Sequence, residues 1–484
     1  MFSFEDLLQG NRGHISIVGT TDPAPDLSFR SAQHDSRHCG VGDLYIALKG
    51  ARVDGHDFIP DAARAGAIGA LCTTPHADVP PGFLQFVVPD VVKAVQATAR
   101  VRVQRQPETI KIGITGSSGK TTTKEAIAAI LSKVAPTLKT YSSYNNELGY
   151  PLTLLSLQAE HRYAVLEMGT ERIGELRELC ETIARPDWSV IITVGAAHLK
   201  YFGTRENVAI GKSELVQVLS EEGIALLNYD DQRVRAMNEK TRARVIYYGR
   251  DAQADVRAVE LQGLGLFGTH FILCVERQKI PVKLALPGAH GVTTALAAAA
   301  VGHAAGIPLD VIRDGLETLT PFKGRGEVRR GAGPNGSTVI DDTYNSVQES
   351  LIIMTQALRE TPLPATGKRW AVLGEVMEQG DYTLEGHYSV GKALNGTCDY
   401  LVAIGDYARY FIQGAQESGM PAQNIYYFQV DPYQEAEVEE AKRAAVALLK
   451  EKVKSDDLVL VKGGHRLHME TMVALLTDQK GEEE

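Results

Sequence analysis

Residues 112–124 read Ile-Gly-Ile-Thr-Gly-Ser-Ser-Gly-Lys-Thr-Thr-Thr-Lys. The apolar run Lys111-Ile112-Gly113-Ile114 enters this stretch as a strand, and Ala126, Ile127, Ile130 and Leu131 leave it at helical spacing. Between them, Gly116, Ser117, Ser118 and Gly119 let the backbone turn tightly. Successive N–H groups and a helix N-terminus then point at phosphate oxygens. Lys120 supplies a point charge for the outer phosphates, and Thr121, followed by Thr122, offers a hydroxyl to the Mg²⁺ that travels with ATP. The usual spacing G-x-x-x-x-G-K-[ST] is displaced here: Ile114 stands five before Gly119, and the glycine is Gly113. A glycine-rich turn with no ligand has a similar composition, but Gly-Lys-Thr between a strand and a helix reads as an ATP site.

Outward from this loop, residues 107–320 alternate strand and helix, which predicts a mostly parallel sheet covered by helices. Strands are expected at Lys111–Thr115, Tyr163–Glu167, Trp188–Val194, Ile224–Asn228 and Val245–Tyr248, with a helix over Arg205–Leu219. Asp255–Leu286 is rich in β-branched residues and glycine turns, and predicts a small antiparallel excursion. Ligands of such sheets bind beyond the carboxyl ends of the strands. That singles out Glu167 at the end of Tyr-Ala-Val-Leu-Glu, His198 after Trp-Ser-Val-Ile-Ile-Thr-Val, and Lys212 and Glu214 on the next helix. Each alone has a dull explanation as a cap, a loop histidine or a solvated helix residue. Their order behind a phosphate loop makes them catalytic and metal-ligating candidates. Asn145 and Asn146, in the polar loop Asn-Asn-Glu-Leu-Gly-Tyr-Pro, are either turn residues or readers of a polar ligand.

Residues 321–484 alternate again and predict a Rossmann-like unit without a dinucleotide fingerprint, with strands near 337–341, 369–373, 400–404, 425–429 and 458–461. Gly324-Arg325-Gly326, Asp341-Asp342-Thr343-Tyr344-Asn345 and Lys462-Gly463-Gly464-His465-Arg466 lie at its junction or at strand ends. An arginine and a lysine brought from another domain suit a reaction with developing phosphate charge. Residues 1–106 mix short strands and helices around Asp35-Ser36-Arg37 and Gly-Asp-Leu-Tyr-Ile-Ala-Leu-Lys49-Gly. The expected fold class is therefore α/β in three domains: a small mixed N-terminal domain, a central ATP-binding domain and a C-terminal Rossmann-like domain.

The 484 residues are 44% hydrophobic and 23% charged, with a net charge of −10. This balance argues against a general nucleic-acid or membrane-surface binder. Five scattered cysteines show no C-x-x-C spacing, and no signal peptide or 18-residue apolar run is evident. The expected location is the cytoplasm.

In this order, T-G-S-S-G-K-T-T-T, N-N-E-L-G-Y-P, L-E-M-G, the His198 segment, Lys212, P-G-A-H, G-R and D-D-x-Y-N resemble the Mur ligases over essentially the whole chain, displaced glycine included. D-S-R…G-D-L-Y-I-A-L-K-G…D-G-H-D-F, D-D-T-Y-N-S and L-G-E-V-M-E-Q-G followed by His387 are most similar to the branch that adds D-alanyl-D-alanine to UDP-N-acetylmuramoyl-tripeptide. The D-N-P-R motif of the ligase that adds the third amino acid is absent. The resemblance implies ATP-dependent formation of an acyl phosphate, attack by the amine, and release of phosphate in peptidoglycan precursor synthesis. It places Thr121 and Glu167 at a first Mg²⁺, and His198 with a carbamylated Lys212 at a second. Arg325, Asp341, Lys462 and His290 are implied on the ATP side, Asp35, Ser36, Arg37 and Lys49 at the UDP end, and Asn145, Asn146, Tyr344 and Asn345 along the substrates. A monomer is expected.

Three stretches depart from the family pattern. H-N-x-x-N reads His290-Gly291-Val292-Thr293-Thr294, Y-N-A-N-P reads Tyr344-Asn345-Ser346-Val347-Gln348, and K-G-S-R reads Lys462-Gly463-Gly464-His465-Arg466. Two other readings stay open at this point: a Mur-type paralogue with another amine or peptide, and a nucleotide-binding scaffold without catalysis.

Overall fold

The computed structural model describes residues 1–19, 27–50, 53–195, 199–377 and 380–477. His198, with Ala196 and Ala197, lies outside the described residues. Three large sheets follow one another along the chain, as in a three-domain α/β protein.

The first sheet runs in the order Ser16–Val18, Leu84–Val87, Gly69–Cys72, Leu44–Ile46, Ala32–Gln33, antiparallel only at its Ser16–Val18 edge. Leu44 and Ile46 enter one core, Tyr45 and Ala47 another, and all four are buried. A short helix runs from Ile59 to Arg64.

The central sheet has nine strands. From one edge they are Gln278–Leu284, Thr269–Val275, Val256–Gly263, Arg244–Gly249, Ile224–Asn228, Trp188–Ile191, Ile110–Thr115, Tyr163–Glu167 and Thr137–Lys139. The last seven are parallel. The three strands expected as an excursion instead extend this sheet, because Val256–Gly263 pairs in parallel with Arg244–Gly249 before the chain turns back. The strand expected to reach Val194 stops at Ile191. Beyond it the backbone leaves the ladder: the Thr193 carbonyl accepts the Ser117 N–H at 2.9 Å, and the Val194 N–H donates to Asp231 at 2.8 Å. That departure brings the 192–195 segment onto the phosphate loop.

The helix Gly288–Ala304 carries Ala295, Ala297, Ala298, Ala299 and Ala300 fully buried against the sheet and the Lys120–Leu131 helix. Small side chains allow this approach: a Cβ on Gly302 would sit 3.2 Å from Ile130.

The third sheet has the order Glu327–Arg329, Thr338–Asp342, Leu458–Lys462, Arg369–Gly374, Tyr400–Ile404, Ile425–Phe428, parallel except at Glu327–Arg329. The latest strand in the chain is thus inserted between the second and third of this unit. Helices Gln348–Glu360 and Glu435–Lys452 belong to the same unit.

Candidate active site

The strand Ile110–Thr115 ends in a loop that delivers the chain to the helix Lys120–Leu131 through Gly119, whose φ of +81° is left-handed. Glycine takes that conformation without a Cβ penalty. Ser117 through Thr122 line a cavity of about 570 Å³, within the range of small-ligand sites. Lys120 folds back so that Nζ donates to the Gly116 carbonyl at 2.9 Å. Burial draws its pKa below the ordinary lysine value; Glu167 raises it and Arg325 lowers it.

Glu167 closes the parallel strand beside the loop, and its carboxylate is 1% exposed. Its Oε1 accepts from Asn145 Nδ2 at 2.8 Å, while Oε2 is buried without a hydrogen bond among the described residues. A buried carboxylate oxygen left unpaired is costly. Together with the Thr121 hydroxyl it fits a cation site completed by phosphate oxygens. Among the described residues no cluster of three or more His, Cys, Asp or Glu forms a self-sufficient metal site.

The opposite wall of the cavity comes from the third sheet unit, with Gly324, Arg325, Asp342, Tyr344, Asn345 and Lys462 among its lining residues. Arg325 lies 3.8 Å over the Tyr344 ring and donates to Thr121 Oγ1 at 3.1 Å. The Tyr344 hydroxyl is 2.8 Å from Ser143 Oγ. Lys462 is register partner to Asp342 across adjacent parallel strands; its Nζ is 2.7 Å from Asp342 Oδ2 and donates to the Asn345 carbonyl at 2.9 Å. Asp341, named from the sequence, does not line the cavity. Successive strand residues point to opposite faces, and Asp341 is taken up by Thr343 at 2.6 Å and Arg329 at 3.2 Å. The wall carboxylate is Asp342.

His290 lines the same cavity beside Leu286 and Pro287, with Nε2 buried and without a hydrogen bond among the described residues. Burial lowers its pKa, Lys462 lowers it further, and Asp342 and Glu349 act the other way. Asn145 and Asn146 also line the cavity, the latter with its Oδ1 accepting the Gly149 N–H at 2.9 Å.

Lys212 is 2% exposed, and among the described residues no hydrogen bond or ion pair reaches its ammonium. Its pKa falls well below the ordinary value because of burial and then the charge of Lys120, against a raising contribution from Glu175. Glu214, a candidate from the sequence, is spent elsewhere: it caps the Glu175–Thr182 helix by accepting the Gly174 and Arg177 N–H groups at 2.5 and 3.1 Å.

Asp35, Ser36, Arg37 and Lys49 lie away from this cavity. Arg37 bonds Asp35 at 2.6 Å and holds its carboxyl down at about 2, and Lys49 is exposed. Their unit nevertheless meets the asparagine loop, where the His34 ring packs edge-on against Tyr144 at 5.4 Å and Gln96 donates to the Glu147 carbonyl at 2.9 Å. Sequence reasoning missed Lys124, buried behind this loop, and Glu349, which bonds Arg205 across the units at 3.2 Å.

A phosphate loop at the end of a parallel sheet, faced by arginine and lysine from a second Rossmann-like sheet, defines a multidomain P-loop protein built for phosphoryl chemistry. Known proteins place it further. The Mur ligase middle domain profile matches residues 114–302, the Mur ligase glutamate ligase domain 324–465, and the Mur ligase family catalytic domain 29–135. This chain belongs to the Mur ligase family. It is 35% identical over 415 residues to the UDP-N-acetylmuramoyl-tripeptide--D-alanyl-D-alanine ligase of Mycobacterium tuberculosis (strain H37Rv), covering 81% of each chain. Among solved structures, MurF from Acinetobacter baumannii superposes with a TM-score of 0.83 at 30% identity over 99% of both chains. MurF ligase from Thermotoga maritima in complex with ADP gives 0.76 at 28% identity, over 94% of this chain and 99% of that one.

Proposed function

We propose that this protein is an ATP-dependent carboxylate–amine ligase that joins D-alanyl-D-alanine to UDP-N-acetylmuramoyl-tripeptide in peptidoglycan precursor synthesis, releasing ADP and phosphate. The observation that carries the reading is the shared cavity: Gly119, Lys120 and Thr121 on one wall face Arg325, Tyr344 and Lys462 on the other. The relatives named above act as such ligases, which supplies the substrates.

In this reading a peptide carboxylate oxygen attacks the γ-phosphorus of ATP, ADP leaves, and the acyl phosphate forms. The amine then attacks the acyl carbon, loses a proton, and phosphate departs. Lys120 and the amides of Gly116 to Thr122 hold the transferred group, and Arg325 and Lys462 meet its charge from the far wall. Leu286, Pro287 and Met354 give an apolar side beside His290 that suits a nucleobase. Thr121 and Glu167 would hold Mg²⁺, which neutralises phosphate charge when bound. Lys212, buried and without a partner among the described residues, is suited to carbamylation, which would turn it into an oxygen ligand for a second Mg²⁺ with His198. Asn145, Asn146, Tyr344 and Asn345 would line the path of the muramoyl peptide, and Asp35, Ser36, Arg37 and Lys49 its UDP end. Five thiols, all unpaired, fit a cytoplasmic setting, and we assign a monomer. No helix among the described residues is long and apolar enough to cross a membrane.

The test is phosphate release from ATP with UDP-N-acetylmuramoyl-tripeptide, with and without D-alanyl-D-alanine. Release that depends on the dipeptide and yields the pentapeptide product is expected. Dipeptide-independent ATP hydrolysis, or turnover only with another amine, would overturn the substrate assignment.

A further inference from the structure

Lys124 stands one turn into the helix that opens on the phosphate loop. It is 1% exposed and takes no part in the reaction described above. Burying an ammonium is costly unless its donors are met. Here Nζ donates to the carbonyls of Thr140 and Ser142, each at 2.7 Å, and lies 3.2 Å from Glu125 Oε1. Two of its partners are therefore backbone groups of a loop 16 and 18 residues away.

That loop has an unusual backbone. Ser142 has φ +47°, the left-handed region that side-chain-bearing residues seldom occupy. On either side of this turn stand groups of the site. Thr140 Oγ1 accepts the Glu167 N–H at 2.9 Å. Ser143 Oγ meets the Tyr344 hydroxyl at 2.8 Å and lies 3.4 Å from Thr121 Oγ1. Asn145 donates its amide to Glu167 at 2.8 Å and accepts the Gly169 N–H on its carbonyl at 2.8 Å.

We infer that Lys124 is a positioning residue for the ligase reaction. It clamps the 140–142 turn in its left-handed shape, and so sets Asn145 against Glu167 and Ser143 against the third sheet unit. The inference rests on the ligase reading for its kinetic consequence, but the state of the loop can be measured without turnover. A lysine that only fills space would contribute to stability and leave the loop where it is. The clamp makes a narrower demand, because the strain lies at Ser142, where a glycine would adopt the same φ freely.

The experiment compares Lys124→Met, Ser142→Gly and the double variant in the full chain, by amide hydrogen exchange, ADP titration and steady-state kinetics. Lys124→Met should bind ADP with near wild-type affinity and exchange the 140–146 amides faster. Its kcat should fall by about a hundredfold, the scale of a small misplacement at a reacting centre. Ser142→Gly alone should behave as wild type, and added to Lys124→Met it should restore loop protection and most of kcat. A folded Lys124→Met with wild-type kcat, or a loss that Ser142→Gly leaves untouched while loop exchange is unchanged, would overturn the assignment. If Lys124→Met does not fold, Lys124→Gln, which keeps a donor for one carbonyl, is read by the same criteria. Should the wild-type protein lack ligase turnover, the functional reading fails, and the exchange comparison still decides whether Lys124 holds the loop.

Discussion

Arg325 Nη2 donates to Thr121 Oγ1 at 3.1 Å, joining residues 204 positions apart. The hydroxyl concerned is the one a phosphate loop offers to Mg²⁺, so in the proposed reading guanidinium and metal would contend for one oxygen. Binding of the metal nucleotide should release Arg325 from Thr121 and free it for the phosphates. Arg325→Ala is expected to lower kcat by about a thousandfold. Arg325→Lys should not recover it, because lysine lacks both the planar fork and the stacking face on Tyr344. Steady-state kinetics of both variants check this, and near wild-type turnover by Arg325→Lys would show that charge alone is needed.

Tyr344→Phe isolates the hydroxyl contact to Ser143. The ring under Arg325 remains, while one hydrogen bond between the sheet units is lost. Such a bond is worth about 1 kcal/mol, so the expected change in kcat/KM is about fivefold, with a slight expansion in small-angle scattering. A loss as large as that of Arg325→Ala would assign the phenol a direct part in the reaction.

Lys212→Ala should lose activity by on the order of a hundredfold or more, the scale on which groups around a metal are felt, with the fold and ADP binding retained. Short carboxylic acids should restore part of the rate by supplying oxygen ligands. Lys212→Arg should be inactive, since guanidinium does not form the carbamate. Labelled bicarbonate should give a carbamate carbon signal in wild type that is lost in Lys212→Arg. Wild-type turnover by either variant, or no such signal, would remove Lys212 from the proposed metal site.

Glu375 and His387 should pull stability in opposite directions as pH changes. Burial raises the Glu375 pKa to about 7 from 4.5, and lowers that of His387 to about 4 from 6.5. His387 is held neutral: Nε2 accepts the Val376 N–H at 3.0 Å, so Nδ1 carries the proton given to the Thr383 carbonyl. Its folded pKa is depressed, so its contribution is present above pH 6.5 and lost as pH falls through 4. The Glu375 pKa is raised, so its contribution is present below pH 4.5 and lost as pH rises through 7. Each is worth roughly 3 kcal/mol at most, and they offset one another between pH 4.5 and 6.5. Urea unfolding across that window should show a steeper acid loss in Glu375→Gln and a flatter or inverted profile in His387→Gln, relative to wild type. Parallel profiles for all three proteins would refute the pairing.

Much of the architecture was legible because buried parallel strands are continuous apolar runs, and the phosphate loop marks where one of them ends. The 435–452 helix carries acidic residues at its start and lysines at its end, a pattern that matches the helix dipole. Edges were harder. Thr137–Lys139 and Glu327–Arg329 are three-residue strands recruited by a neighbour, with no periodicity of their own. Asp341 and Asp342 could not be told apart, since which face each takes depends on register with Lys462. Lys124 looked like any surface lysine on a helix, because the carbonyls that bury it belong to a distant turn. The roles proposed for Lys212 and Arg325 come from the resemblance to a family; composition and spacing supplied only their addresses.

The strand Leu458–Lys462 enters the third sheet between Thr338–Asp342 and Arg369–Gly374, two strands made more than 80 residues before it. During vectorial synthesis those earlier strands leave the ribosome before the one that lies between them. Until the late strand arrives, Asp342 has no Lys462 opposite it, and this wall of the cavity cannot close. A nascent chain therefore holds its phosphate loop, Arg325 and Tyr344 more than 100 residues before Lys462 joins them. The far wall is thus finished only once the last strand of the sheet has been made.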